Sequence, residues 1–319
     1  MNARNILILT LVLAVLAGGL WYRKASRRGE NTLTADSLRS FVAPDLTASV
    51  DAVELARPGN AAVRLEKRDG LWVISALGGV PASEGSIGRM LDALAALRGE
   101  LRSADPAVLG DYGLQEDQAM SLTLVAGGRE KARLLVGKGD FRNVFIRTAG
   151  SPEVYAAPGS ILGQLGAQGP SLSPQFWIDG TLAALPRETV KEVRLKAPGV
   201  EAVLARRVPS GGDAANATLE AEWDFRLSRG KGLAKEGMEG VLAVLERVPV
   251  TEAVHPPQTG PTFPTHRLEV ATDSGVTVLE GAPEGENGFL VRVAGSPHLY
   301  RMAPSVAGRL FPAPAGKAE

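Results

Sequence analysis

The chain has 319 residues, 45% hydrophobic and 22% charged, which excludes a disordered chain and suits about two globular domains. Bases and acids balance at 35 each, but Arg4, Arg23, Lys24, Arg27 and Arg28 precede the first acid, leaving 30 bases against 35 acids beyond it. That remainder argues against a nucleic acid partner, which needs clustered Lys and Arg, and the lack of cysteine excludes disulfides, thiol catalysis and thiolate metal sites.

The first element is apolar. Ile6 to Tyr22 carries no charge, and at 1.5 Å per residue it reaches about 25 Å, the short end of a bilayer span. Trp21 and Tyr22 stand where an interfacial aromatic belt would lie, followed by Arg23 and Lys24 at headgroup depth. Residues 6–22 therefore read as a transmembrane anchor in the lipid bilayer. The competing reading is a cleaved signal peptide, with Ala17-Gly18-Gly19 as its small-residue site. The basic flank after the span would by itself place the globular part in the cytoplasm. Residues 29–49 are polar and broken by Pro44, so they read as a tether with a short helix around Ala35 to Phe41.

The globular part opens with strands. Val63 and Leu65, then Trp72 and Ile74, alternate with their neighbours as half-buried strands do, and Asp69-Gly70 suits the tight hairpin between them. Ile87, Met90, Leu91, Leu94 and Leu97 recur at helical spacing, with Ser83 as N-cap and Glu84 in the first turn. An antiparallel meander follows through Leu122–Leu124, Leu134–Val136, Val144–Ile146 and Val154, its turns expected at Gly127-Gly128, Gly137 to Gly139 and Gly150. Asp111 to Asp117 (DYGLQED) bridges helix and meander, with Tyr112 and Leu114 as pins and Gly113 as turn.

The pattern then repeats. Ala149-Gly150-Ser151-Pro152 recurs as Ala294-Gly295-Ser296-Pro297, and at the same offset Phe145-Ile146-Arg147 matches Leu290-Val291-Arg292 and Tyr155 matches Tyr300. At a slightly longer offset Trp72 matches Trp223, and Ile87, Met90, Leu91 and Leu94 match Met238, Val241, Leu242 and Leu245. Val50 to Leu55 likewise resembles Val190 to Leu195. The expected class is α+β: an N-terminal transmembrane helix, then two tandem modules, each mostly antiparallel sheet with one main packed helix. The expected boundaries are 1–28 anchor with basic flank, 29–49 linker, 50–168 module 1, 169–187 inter-module linker, 188–312 module 2 and 313–319 tail.

Chemistry is hard to find. His255, His266 and His298 form no metal-ligand spacing, and the first and second lie among prolines, as solvated loop histidines do. Gly137-Lys138-Gly139-Asp140 lacks the spacing of a phosphate loop and reads as a hairpin turn. Asn216-Ala217-Thr218 fits a glycosylation acceptor with no other sign of a glycosylating host. Trp72 and Trp223 each neighbour an apolar strand residue and read as core anchors rather than ligand platforms. No catalytic, cofactor-binding or metal residue is assigned. The alternative, an enzyme acting on cell-envelope polymer, would draw on Asp111, Glu116 and Asp117 as acid and base, and a second alternative is a structural spacer.

The chain resembles a bacterial family known as domain of unknown function 4340. The resemblance rests on the N-terminal span, Asp69-Gly70-Leu71-Trp72, Tyr112-Gly113-Leu114, Val136-Gly137, Val144 to Tyr155 and Phe176-Trp177-Ile178-Asp179. It covers residues 50–196 well and the rest weakly. The family often has Pro soon after its Tyr-Gly-Leu, where this chain has Gln115, Glu116 and Asp117, and the second module keeps no Tyr-Gly-Leu. What the resemblance implies is a non-enzymatic envelope protein, an accessory component beside ABC-type transporters, needing no cofactor. It also implies a globular part outside the cytoplasmic membrane, against the base count, and that placement is the one adopted.

Overall fold

The computed structural model of the chain describes residues 38–207, 223–255, 263–285 and 288–313. The Ile6–Tyr22 span with its basic flank, residues 29–37 of the expected linker, Asn216 and residues 314–319 of the tail lie outside the described residues. Among the described residues no helix is long and apolar enough to cross a membrane.

In the first half the strands are β1 (Leu38–Ser40), β2 (Ala52–Ala56), β3 (Val63–Arg68), β4 (Leu71–Ile74), β5 (Val80–Pro81), β6 (Arg98–Ser103), β7 (Met120–Ala126), β8 (Arg129–Gly139), β9 (Asn143–Thr148) and β10 (Val154–Pro158). The helices are α1 (Pro44–Ser49), α2 (Glu84–Ala96) and α3 (Ile161–Gln164). The second half has β11 (Thr181–Ala183), β12 (Val190–Ala197), β13 (Val200–Arg206), β14 (Trp223–Arg229), β15 (Val248–Pro249) and β16 (Glu252–Val254). It continues with β17 (His266–Thr272), β18 (Gly275–Glu284), β19 (Gly288–Val293) and β20 (Leu299–Met302), and its helices are α4 (Lys235–Leu245) and α5 (Pro304–Leu310). Antiparallel sheet dominates and helices are few, so the fold is sheet-rich α+β.

The chain clusters into two compact units, one of Met1–Val50 with Met90–Gln168, the other of Asp51–Arg89 with Gly169–Glu319. The first unit holds the strand order β1-β6-β10-β9-β8-β7. In the second, β2-β3-β4-β5 run in order, β11 pairs with β15, and an eight-stranded sheet runs β14-β13-β12-β17-β18-β19-β20-β16. The antiparallel pairings within the first half, β2–β3–β4 and β6–β10–β9–β8–β7, recur in the second as β12–β13–β14 and β16–β20–β19–β18–β17. Each half has its helix after these three strands, α2 once β5 has intervened and α4 directly after β14.

Local chemistry explains these elements. Asp69 and Gly70 both take positive φ, 51° and 84°, joining the paired ends Arg68 and Leu71 in a turn whose twist suits the flanking strands. Ser83 accepts the Ser86 N–H at 3.3 Å and caps α2, as its position predicts. Ile87, Met90, Leu94 and Leu97 are buried and Leu91 is half-buried, so the helical stripe is one core face. In α4, Met238, Val241, Leu242 and Leu245 are buried in the same pattern. Trp72 and Trp223 are 7% and 4% exposed, which makes both of them core.

Three expectations are corrected. The helix around Ala35 to Phe41 is instead a strand at Leu38–Ser40, and the helix begins at Pro44, whose fixed φ suits a first turn. The strand forms because Arg39 pairs with Gly99, where a Cβ would stand 2.8 Å from the Phe41 ring and 2.9 Å from Tyr155. Phe41 and Tyr155 then meet edge to face at 5.4 Å. The second correction concerns Gly137 to Gly139, which lie inside β8 at a register shift, with the turn displaced to Asp140–Arg142. The Asp140 carboxylate accepts the Arg142 and Asn143 N–H groups there, which holds its pKa below the ordinary value. The third is His266, which opens β17 rather than lying in a loop.

Candidate functional site

The Tyr112-Gly113-Leu114 crossover is locked onto the meander by backbone and by one arginine. Gly113 turns the chain with φ of 65°, and the Lys138 N–H donates to the Tyr112 carbonyl at 2.8 Å. Gly137 is required opposite, because a Cβ there would run into that carbonyl oxygen and stand 2.9 Å from Leu114. Arg147, only 5% exposed, donates to the Leu114 carbonyl at 2.8 Å, the Ser151 carbonyl at 3.1 Å and the Glu116 carboxylate at 2.9 Å. Leu114, Ala119, Leu135 and Val154 form a small core, with Leu109, Tyr112 and Phe145 packed against it. Tyr112 and Phe145 meet at 4.5 Å between ring centres. The pins expected at Tyr112 and Leu114 are therefore packing groups.

The acids of the same segment are not gathered. Asp111, Glu116 and Asp117 are exposed, and Glu116 is paired with Arg147. One surface depression is lined by Arg194, Lys196, Glu201, Arg267 and Glu269, and another by Ala93, Leu97, Pro158 and Ile161; none of the three acids lines either.

The second half rebuilds this place with charge. Arg292 stands where Arg147 does, and Glu280 where Leu135 does, directly across the β18–β19 ladder from Arg292. Glu280, 7% exposed, is held between Arg267 and Arg292 at 2.9 Å each, and Arg292 lies over the Phe263 ring at 4.9 Å. A buried carboxylate with two guanidiniums is paired rather than reactive.

The histidines occupy separate settings. His266 lies edge-on to Phe289 and Phe311 at 5.4 and 5.6 Å, and burial lowers its pKa. His298 is half-buried, its pKa lowered by burial and by the nearby charge of His255. His255 packs so closely on Gly78 that a Cβ there would stand 2.5 Å from its ring. Tyr300 is pushed up to about 12 by burial, with Asp179 adding to the shift. Among the described residues no group of three His, Asp or Glu is placed to hold a metal ion.

Residues 169–187, expected as a linker, carry their own structure. The Ser83 N–H donates to the Trp177 carbonyl at 2.8 Å, Asp179 N–H to the Pro81 carbonyl at 3.3 Å, and Ile178 bridges Ala82, so the segment pairs beside the end of β5 through one isolated bridge. The Gln175 amide both donates to the Ala253 carbonyl at 2.7 Å and accepts its N–H at 2.8 Å, imitating a strand partner. Trp177 is 1% exposed. Arg147, Gln175 and Glu280 escaped the sequence reading; the only signal was that an arginine recurs at the same strand position as Arg292.

A family model, Domain of unknown function (DUF4340), matches residues 72–235, just over half of the chain. The chain belongs to the DUF4340 family. The match takes in the capped helix, the crossover on Arg147 and the Trp177 segment of this DUF4340 protein. No curated protein and no solved structure matches it.

Proposed function

We propose that this DUF4340 protein is a membrane-anchored, extracytoplasmic binding scaffold, accessory to an ABC-type transporter or another envelope complex and not an enzyme. On this reading Ile6–Tyr22 is the single span, and the globular part is two tandem copies of one module, 50–168 and 188–312. The carrying observation is the recurrence of the same strand pairings in both halves, combined with polar side chains that spend their hydrogen bonds on backbone and on paired charges. Arg147, Glu280 and Gln175 all serve packing. Duplicated sheet scaffolds of this kind offer edges and faces to partners. The carboxylates of the enzyme reading are exposed, and no observation favours it.

The test is in-cell crosslinking followed by detergent solubilisation of the full chain. A transporter or other envelope subunit that crosslinks reproducibly supports the scaffold. Recovery of the chain alone, from several growth conditions, contradicts it.

A further inference from the structure

The two halves differ at one sheet edge. In the first half the edge strand β4 is followed by the Gly78-Gly79 turn, and β5 returns alongside it, Val73 against Pro81 and Ile74 against Val80. Trp177 to Asp179 then add beyond β5. The chain thus closes this edge with its own extended segments. In the second half β14 is the corresponding strand, and it ends its sheet with no further strand beside it among the described residues. After it, Gly230 and Gly232 take positive φ and Leu233 is buried, but no strand returns before α4. Ala234, where Ser83 stands in the first half, is extended and makes no side-chain cap.

We infer that β14 is the docking edge for an extended acidic segment of a partner protein, which adds to the second sheet as a further strand. This inference rests on the scaffold reading and names its surface. An open edge presents unpaired backbone donors and acceptors, the usual template for strand addition. The side chains select the occupant. Arg226, Leu227, Ser228 and Arg229 are all exposed, and neither Arg226 nor Arg229 has an ion-pair partner among the described residues. Arg226 shares a face with Val203 and Arg194 through the ladder, whereas Leu227 sits beside Ala202 on the other. Past the register shift between Glu201 and Ala202, Arg229 joins the face of Arg226, where Asp224 is paired by Arg207 and Glu201 by Lys196. An added strand therefore meets two guanidiniums on one face and Leu227 on the other, which favours alternating acidic and apolar residues. A second copy of this chain is disfavoured, since antiparallel pairing of β14 with itself about Leu227 and Ser228 sets Arg226 against Arg229.

The experiment uses the full chain in detergent and two blocked peptides of alternating sequence, one Glu-Val and one Lys-Val, at millimolar concentration. Backbone hydrogen exchange is followed across residues 223–229. The expected result is new protection of the β14 amides with Glu-Val and none with Lys-Val. Arg226→Glu with Arg229→Glu should weaken Glu-Val binding at least tenfold and favour Lys-Val, with an unchanged thermal melt. Equal binding of both peptides, protection elsewhere, or no protection would overturn the inference. So would β14 amides already protected in the free chain, because the edge is then covered before any peptide is added. Because the readout needs no native partner, it can fail while crosslinking succeeds, and the reverse.

Discussion

At the scale of single residues, the strongest local commitments are the groups that hold backbone in place. Arg147→Met leaves the buried Leu114 carbonyl unpaired and should destabilise by about 1–3 kcal/mol in urea unfolding, with faster exchange across 109–119. Gly137→Ala should cost about 1–3 kcal/mol because its Cβ strikes backbone, whereas Gly128→Ala meets open space and carries only the penalty of a φ of 69°, about 1 kcal/mol. Thermal melts rank the two. Glu66 gives a pH signature: Arg64 and Arg68 hold its carboxyl at about 2, below the ordinary 4.5. A carboxyl depressed in the folded state contributes stability fully present above 4.5 and lost as pH falls through about 2. Wild type should therefore exceed Glu66→Gln in melting temperature near neutrality, with the gap closing between pH 4.5 and 2. A gap independent of pH would remove the ion pairs from the account.

At the scale of elements, the Trp177 segment carries the clearest prediction. Trp177→Ala should destabilise by about 3–5 kcal/mol and expose 169–187 to protease, because the ring is fully buried and its backbone pairs beside the end of β5. Elements whose cause is local were readable in advance. Asp69-Gly70 encodes its turn, Ser83 its cap, and Ile87, Met90 and Leu94 their stripe, because periodicity and turn chemistry act within a few residues. Elements whose cause is distant were not. Leu38–Ser40 becomes a strand only because Gly99 makes room for Phe41. Gly137 looks like a turn residue, yet its missing Cβ serves the approach of the Tyr112 carbonyl. Phe176-Trp177-Ile178-Asp179 could be recognised as familiar, but the ladder it joins is set by residues 81–83 far along the chain. Of the candidate site, the packing role of Tyr112 and Leu114 was readable from apolar spacing. The arginine beneath them was not, because a strand arginine ordinarily signals a solvated face.

At the scale of the whole molecule, the repeated pairings and the unequal edges belong to one account. On the proposed reading of one sheet module used twice, the first copy closes its edge with the chain's own segments, and in the second β14 ends its sheet among the described residues. That asymmetry suits a tethered scaffold that holds itself together through one copy and a partner through the other. The account depends most on where the globular part lies relative to the membrane, where the basic flank of Arg23, Lys24, Arg27 and Arg28 and the family resemblance pull in opposite directions. The deciding measurement is a compartment-sensitive reporter fused after Pro314, with protease access tested in spheroplasts. The account predicts a reporter active outside the cytoplasm and a globular part digested from without. A reporter active only in the cytoplasm, with the chain fully protected, would contradict it.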